Sequence, residues 1–156
     1  VRYFYALCTM FCVLVLWNFT YYLHQYYLHM DKEYDYSSQY GVKELVEYTK
    51  KQADYNNFFV TTRYDQPYIL FLFYLKYPPE RFQKEHTLTS RDQFGFSTVE
   101  SFGNYVFGDI SDWQGIKIAN KNTLIAGTPK EVPDGERVLH TIYFPSGRTA
   151  FEVVAN

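Results

Sequence analysis

The sequence predicts an α/β fold: an N-terminal transmembrane helix, then a small three-layer α/β domain with a mixed sheet ending in an antiparallel hairpin. Three observations predict it. Residues 3–30 contain no Asp, Glu, Lys or Arg. After them, short aromatic and β-branched segments alternate with segments of helical periodicity, which is typical of α/β domains. The last two apolar segments alternate in polarity around the turn PSGR, residues 145–148, which indicates a hairpin.

Residues 3–23 have the length and composition of a membrane-spanning helix. A helix of this length extends about 31 Å, which matches the hydrocarbon core of a bilayer. Tyr and Trp residues flank its apolar centre, as they do at membrane interfaces. The alternatives are a buried core helix, which seldom runs this long without charge, and a cleaved signal peptide, whose small-residue cleavage site is missing after Leu16. We therefore expect residues 1–30 to form a transmembrane helix with an aromatic interfacial end, belonging to a longer protein.

Composition excludes several classes of function for the rest of the chain. A length of 156 residues is enough for one buried core, and 21% aromatic residues exclude general disorder. The net charge of −2 and the lack of a basic stripe argue against nucleic acid as a partner. Cys8 and Cys12 fall on one face of the predicted membrane helix and the four histidines are isolated, so we expect neither a metal site nor a cofactor.

Residues 31–156 are expected to form the α/β domain. A helix is predicted over residues 39–52, capped by Ser37 or Ser38, and a strand over residues 56–63. The next helix begins near Pro67 and ends at Tyr77, because Pro78 and Pro79 cannot continue it. Residues 80–85 are then expected to form a short turn.

The second half of the domain is predicted to contain mainly strands. Residues 86–101 are polar and are expected to form a surface loop, whereas buried strands are predicted over residues 104–110 and 122–128. Asp109 and Asp112 lie in a turn, where solvated capping is a more common role than an acid–base pair. No phosphate-binding glycine loop or acyl-transfer nucleophile pattern is present, so the chain carries no catalytic constellation of its own.

The best candidate for a binding site is the polar segment TTRYDQP, residues 61–67. Ligands of open α/β sheets bind where a strand ends and the next helix begins. Arg63 and Tyr64 are predicted to face outward, Arg63 being suited to a phosphate because its planar fork donates two hydrogen bonds. Asp65 or Gln66 is predicted to cap the following helix. The equally weighted alternative is structural: Arg63 pairs locally, Tyr64 packs, and the loop only begins a helix.

The helix that follows this loop is apolar on all sides over residues 69–75. Such a helix must be buried on more than one side, and the sheet of a small domain covers only one. We therefore expect a second cover, either a partner domain or the membrane surface.

These segments together resemble a known arrangement. The membrane helix, FFVTTRYDQPYILFLFYLKYPPERFQ, YVFGDI, NTLIAGTPKEVP and VLHTIYFPSGRTAFEVV are similar to the C-terminal end of bacterial protein-mannosyltransferase-like membrane glycosyltransferases (glycosyltransferase family 39 and relatives) of the C-type superfamily. The resemblance extends from the membrane helix to the C-terminus. The catalytic carboxylate of that family lies in an earlier loop that no residue here matches, so no catalytic residue is transferred.

The resemblance implies an extracytoplasmic accessory domain on a cell-membrane enzyme that transfers a sugar from a polyprenyl-phosphate carrier to an acceptor. The implied partners are the membrane, a transmembrane catalytic module of the same polypeptide, and a lipid-linked sugar or acceptor. Arg2, on the N-terminal side of the membrane helix, agrees with this orientation. Two alternatives are a membrane-tethered sensor or binding domain without enzymatic activity and, less favoured, a self-contained hydrolase.

Overall fold

A computed structural model describes residues 2–37 and 39–156. Its first helix, α1, spans Arg2–His24 and contains the whole predicted membrane-spanning segment. A π-helical turn at Gln25–His29 and a short helix, α2, at Met30–Glu33 continue it. No residue of α1 is buried, and α1 with its π-helical turn is long and apolar enough to cross a membrane. Within the described residues it is the one helix of this kind.

The polar side chains inside α1 form hydrogen bonds within the helix. Asn18 Nδ2 donates to the carbonyl of Leu14, and Thr20 Oγ1 donates to the carbonyl of Leu16, each at 2.8 Å. These hydrogen bonds pair the side-chain donors with carbonyl groups of the same helix. Such pairing suits a hydrocarbon environment, where an unpaired donor is costly.

Helix α3 spans Val42–Thr49 and buries the four residues at its apolar positions, as its periodicity predicts: Val42, Leu45, Val46 and Thr49. It begins later than predicted, and no side chain caps it. Ser38 lies outside the described residues, and the N-cap is Gly41 with φ +93°. A Cβ at Gly41 would lie 3.0 Å from Ile142 Cγ2, so the close approach of the C-terminal hairpin also favours glycine there.

In the described part of the chain, seven strands form one mixed, open sheet in the order β2-β3-β4-β1-β5-β7-β6. Their bounds are β1 Asn57–Thr61, β2 Thr87–Leu88, β3 Val99–Phe102, β4 Tyr105–Gly108, β5 Thr123–Gly127, β6 Val138–Tyr143 and β7 Thr149–Ala155. The three central strands, β4, β1 and β5, are parallel, and the outer pairs are antiparallel. Strands β6 and β7 form the predicted C-terminal hairpin.

Helices cover both faces of the sheet, which confirms the three layers. Helices α3, α4 (Tyr68–Leu75) and α5 (Pro79–Glu85) lie on one face, and α6 (Trp113–Ala119) lies on the other. Successive residues of β1 alternate between the two cores. Phe58 and Val60 pack with the larger group of helices, and Phe59 packs with Trp113 of α6.

Two helices were not expected from the sequence. The predicted turn over residues 80–85 is wrong: Pro79 occupies the first turn of α5, and Arg81 pairs with Glu85 at 2.7 Å one turn later. Helix α6 escaped prediction because it has seven residues and contains Gly115. It is stabilised at its start by Asp112, whose Oδ1 accepts a hydrogen bond from the Gly115 N–H at 3.0 Å.

The predicted surface loop over residues 86–101 is partly wrong. Its first residues form β2 and its last residues begin β3, which pair antiparallel with Thr87 opposite Ser101. Four-residue and two-residue strands carry too little alternation to be recognised in a polar segment. The residues between the two strands form the tip of a hairpin.

Helix α4 packs against the sheet and α3 and leaves one side exposed. Phe71 is fully buried against the sheet, while Ile69 and Phe73 are 51% and 71% exposed. The exposed Ile69 and Phe73 form the side for which a second cover, a partner domain or the membrane surface, was expected, and that cover stays a prediction. Lys76, with φ +50°, closes the helix.

Candidate functional site

The three parallel strands end side by side at one edge of the sheet. Thr61 of β1 pairs with Gly108 of β4, and β5 ends at Gly127 beside them. The chain leaves β1 toward α4 on one face and leaves β4 toward α6 on the other. Such a reversal opens a crevice at the carboxyl ends of the strands. We call this end of the sheet, where β4, β1 and β5 have their carboxyl ends, the carboxyl edge. It is not to be confused with the edge strands, β2 and β6.

A cleft of about 300 Å³ lies at the carboxyl edge. Its volume is at the lower end of the range for small-molecule sites. It is bordered by residues 34–37 after α2, which we call the linker, and by the loop after β1, the loop after β5 and the β6–β7 turn. The lining residues are Tyr36, Arg63, Tyr64, Thr128, Pro129, Lys130, Phe144, Arg148 and Thr149.

Three of the lining residues are cationic and none is acidic: Arg63, Lys130 and Arg148. Among the described residues, neither Arg63 nor Lys130 forms an ion pair within 4.0 Å. Both side chains are exposed and free to meet a ligand. Two hydroxyl groups, of Thr128 and Thr149, complete a lining suited to an anion such as a phosphate group.

Arg148 joins the cleft to the membrane linker. Its guanidinium pairs with the buried carboxylate of Asp35, and Ser146 Oγ donates to the same carboxylate. Burial acts to raise the pKa of Asp35, but the hydrogen bonds from Ser146, Arg148 and the Tyr36 N–H together hold that pKa below its ordinary value. Asp35 is therefore ionised at neutral pH and fixes the linker against the β6–β7 turn.

Tyr36 forms a second attachment of the linker. Its hydroxyl donates to the carbonyl of Arg63 at 2.6 Å, and its ring lies 4.9 Å from the ring of Tyr64. Gln39 adds a third contact, since its Nε2 donates to the carbonyl of Asp65 at 2.9 Å. The segment that follows α2 is thus part of the cleft wall.

A carboxylate that does not line the cleft holds the neighbouring strand ends together. Glu131 Oε1 accepts a hydrogen bond from Thr61 Oγ1 at 2.8 Å, and its Oε2 accepts from the Thr128 N–H and hydroxyl at 2.8 and 2.7 Å. Thr61 Oγ1 in turn accepts from the Arg63 N–H at 3.0 Å. Both threonines are buried, so Glu131 ties the ends of β1 and β5 into one rigid base.

The structure places the four residues of the predicted loop in two different surroundings, Arg63 and Tyr64 at the cleft and Asp65 and Gln66 outside it. Arg63 and Tyr64 line the cleft, but the prediction that Tyr64 faces outward is wrong. Tyr64 is buried, its hydroxyl donates to the Ala150 carbonyl at 2.6 Å, and burial raises its pKa. Its ring packs edge-on against Phe151 of β7. Packing on this apolar strand removes the ring from water, which is favourable.

The predicted helix cap is also wrong. Asp65 and Gln66 have φ of +48° and +36°, and the N-cap is Pro67 without a side-chain hydrogen bond. A capping side chain requires an extended backbone at the cap, which left-handed residues do not provide. Asp65 and Gln66 instead border a separate groove beside Ile69, outside the cleft.

The other candidate groups have structural partners. Asp109 Oδ1 accepts from the Ser111 N–H, and Asp112 caps α6, so these aspartates act as caps. The hydrogen bonds from Ser111 lower the pKa of Asp109, with a smaller contribution from the charge of Arg63. No group of three or more His, Cys, Asp or Glu residues that could hold a metal ion occurs in the part of the chain that the structure describes.

Sequence reasoning missed Lys130 and Arg148. A signal for Lys130 was present: β1 is followed by Thr62-Arg63 and β5 by Thr128-Pro129-Lys130, so both neighbouring strands lead into a hydroxyl and then a cation. Arg148 lies in the hairpin turn and gave no such signal, because its approach depends on β7 pairing with β5.

No protein-family model, curated protein or solved structure matches this chain.

Proposed function

We propose that this chain is the accessory extracytoplasmic part of a membrane glycosyltransferase that uses a polyprenyl-phosphate sugar, and that the cleft binds the phosphate of the lipid-linked substrate. The observation that carries the proposal is the pair of exposed cations Arg63 and Lys130, neither of which forms an ion pair among the described residues, in a cleft whose described lining contains no carboxylate. Arginine binds phosphate through paired hydrogen bonds, and Lys130 adds long-range attraction. The charge of Arg148 is compensated by Asp35. The sequence resemblance to protein-mannosyltransferase-like enzymes supplies the class of substrate.

The position of the cleft also supports this proposal. Its wall includes Tyr36, three residues after the end of α2. A phosphate on a membrane lipid lies at the bilayer surface, and a site formed partly by the membrane linker lies near that surface. In this role the chain binds and positions the substrate, while the bond-breaking groups belong to a transmembrane module of the same polypeptide.

Phosphate binding can be measured on the full chain in lipid nanodiscs. The probe is a short-chain polyprenyl phosphate, titrated by calorimetry into wild type, Arg63→Ala and Lys130→Ala. We expect each variant to bind about tenfold more weakly, which corresponds to about 1.4 kcal/mol. Lys121→Ala is the matched control, since Lys121 is exposed just before β5 at the opposite edge of the sheet and should leave affinity unchanged.

Two results would overturn this assignment. One is equal affinity in wild type and Arg63→Ala, and the other is the same loss of affinity in Lys121→Ala. Binding should also weaken as ionic strength rises, because exposed charges are screened by salt. Inorganic phosphate used as a second probe separates recognition of the phosphate from recognition of the lipid.

The second candidate is a membrane-tethered sensor or binding domain without enzymatic activity. In its support, residues 36–149 by themselves form a cleft of about 300 Å³. The coding sequence upstream of Val1 distinguishes the two candidates. Many further membrane helices with an acidic first loop support the transferase, and a short tail supports the tethered domain.

A further inference from the structure

The hairpin between β2 and β3 carries two exposed aromatic rings at its tip. Phe94 and Phe96 are 74% and 71% exposed. Asp92 orders the tip, since its Oδ1 accepts hydrogen bonds from the N–H groups of Phe94 and Phe96 at 2.8 and 2.9 Å. The Gly95 N–H donates to the Asp92 carbonyl at 3.0 Å. The rings are therefore held outward by a defined turn, although exposing them to water is unfavourable.

Strand register places this tip at the carboxyl edge. Strand β3 runs antiparallel to β4, with Phe102 opposite Tyr105 and Ser101 opposite Val106, so the start of β3 lies beside the end of β4. The hairpin continues beyond the strands, where the Thr89 N–H donates to the Thr98 carbonyl at 2.9 Å. Phe94 and Phe96 thus project past the edge that carries the cleft.

The chain from the membrane helix reaches the same edge. Asp35 contacts the β6–β7 turn, and Tyr36 contacts the loop after β1. Asp35 lies five residues after Met30, which limits the distance between them to about 17 Å. If α1 spans a bilayer, this short connection keeps the carboxyl edge close to that bilayer.

We propose that the hairpin tip, residues 92–96, inserts Phe94 and Phe96 into the interfacial region of the bilayer. Aromatic rings are favoured at this depth, as the Tyr and Trp residues at the end of α1 also indicate. The hairpin and α1 then form two points of contact that hold the mouth of the cleft against the membrane surface. The inference requires α1 to span the membrane but does not depend on phosphate binding.

The depth of the tip can be measured on the full chain by spin labelling. In a background with Cys8→Ala and Cys12→Ala, a nitroxide is attached at Phe96→Cys or Phe94→Cys. The control is Ile118→Cys, since Ile118 is an equally apolar residue, 75% exposed, near the C-terminal end of α6 at the opposite edge. The protein is reconstituted in vesicles of phosphatidylcholine and phosphatidylglycerol. Collisions with oxygen, which enters the bilayer, are compared with collisions with a water-soluble nickel chelate.

We expect oxygen to dominate at positions 94 and 96 and nickel to dominate at position 118, with a several-fold difference in the ratio. Nickel accessibility at position 96 equal to that at position 118 would overturn the proposal, because the tip would then lie in water. Low accessibility to both reagents would also overturn it, in favour of a protein surface, such as a second copy of the chain, covering the tip. Circular dichroism checks that the labelled variants are folded.

Discussion

The Tyr64 side chain leaves the end of β1 and turns into the core, where its hydroxyl donates to the Ala150 carbonyl. Tyr64→Phe removes this donor and leaves a buried carbonyl unpaired. We expect a loss of about 1–2 kcal/mol in the free energy of unfolding, with phosphate affinity unchanged. Thermal and chemical denaturation of the full chain in detergent measure the loss.

The control for this variant is Tyr143→Phe, because the Tyr143 side chain is 55% exposed on β6. It should change stability by less than about 0.5 kcal/mol. If Tyr64→Phe is equally mild and instead weakens phosphate binding, the Tyr64 hydroxyl belongs to the ligand site and not to the core.

Asp35 is the residue at which pH should act on the attachment of the linker. Its pKa is lower in the folded protein than in the unfolded chain, so its stabilising contribution is complete above its ordinary pKa, near about 4. The contribution is lost as the pH falls from there through the lowered folded-state pKa. At neutral pH, Asp35→Asn should cost about 2 kcal/mol, a value kept modest because the Arg148 side chain is 64% exposed.

The measurement is the difference in unfolding free energy between wild type and Asp35→Asn across the acidic range. Other carboxylates with lowered pKa values, such as Asp109 and Glu136, affect both proteins equally and cancel in this difference. The difference should shrink below about pH 4. A difference that stays constant down to the acid limit would show that the Asp35 charge does not fix the linker.

At the scale of elements, Gly41 sets the start of α3 against the C-terminal hairpin. Gly41→Ala combines an unfavourable φ of +93° with a contact of 3.0 Å to Ile142, so we expect a loss of about 2–4 kcal/mol. Gly135→Ala is the matched control: its φ is also +93°, but nothing lies within 4 Å of the added Cβ. It should lose only the backbone part, about 1–2 kcal/mol.

Denaturation of both variants checks this comparison. The excess loss in Gly41→Ala measures how tightly α3 packs on the hairpin. Equal losses in the two variants would mean that Ile142 moves aside at no cost and that backbone conformation alone selects glycine at position 41.

The elements that sequence reasoning recognised are those with enough residues to show a pattern. Strand β5 is wholly buried and strand β7 is mostly buried, so both were predicted from their apolar residues. Helix α6 and strand β2 were not, because seven residues with an internal glycine and two residues in a polar segment show no reliable period. The ends of helices and strands that tertiary contacts determine, such as the start of α3 at Gly41, also cannot be predicted from the local sequence.

The candidate site was predicted only in part for a related reason. Arg63 could be predicted as a site residue because it lies just after a buried strand. Lys130 and Arg148 reach the same cleft because β5 and β7 pair with each other beside β1. That strand order is a property of the assembled sheet, and no segment of the chain encodes it alone.

At the scale of the whole molecule, the proposed orientation places the domain outside the cytoplasm. In intact bacterial cells carrying Cys8→Ala and Cys12→Ala, Lys121→Cys should react with an impermeant maleimide, because Lys121 is exposed far from the linker. Arg2→Cys, at the other end of α1, is the control and should react only after lysis. The opposite pattern of labelling would reverse the topology.

Tyr36 belongs both to the tether and to the wall of the cleft. On the path from α1 the ion pair of Asp35 with Arg148 comes first, and the hydrogen bond from the Tyr36 hydroxyl to the Arg63 carbonyl follows it. If α1 spans a bilayer, a tilt of the domain relative to that bilayer would load these two contacts in turn. If Arg63 binds a phosphate as proposed, the angle of the domain on the membrane would then act on the bound ligand through the cleft wall.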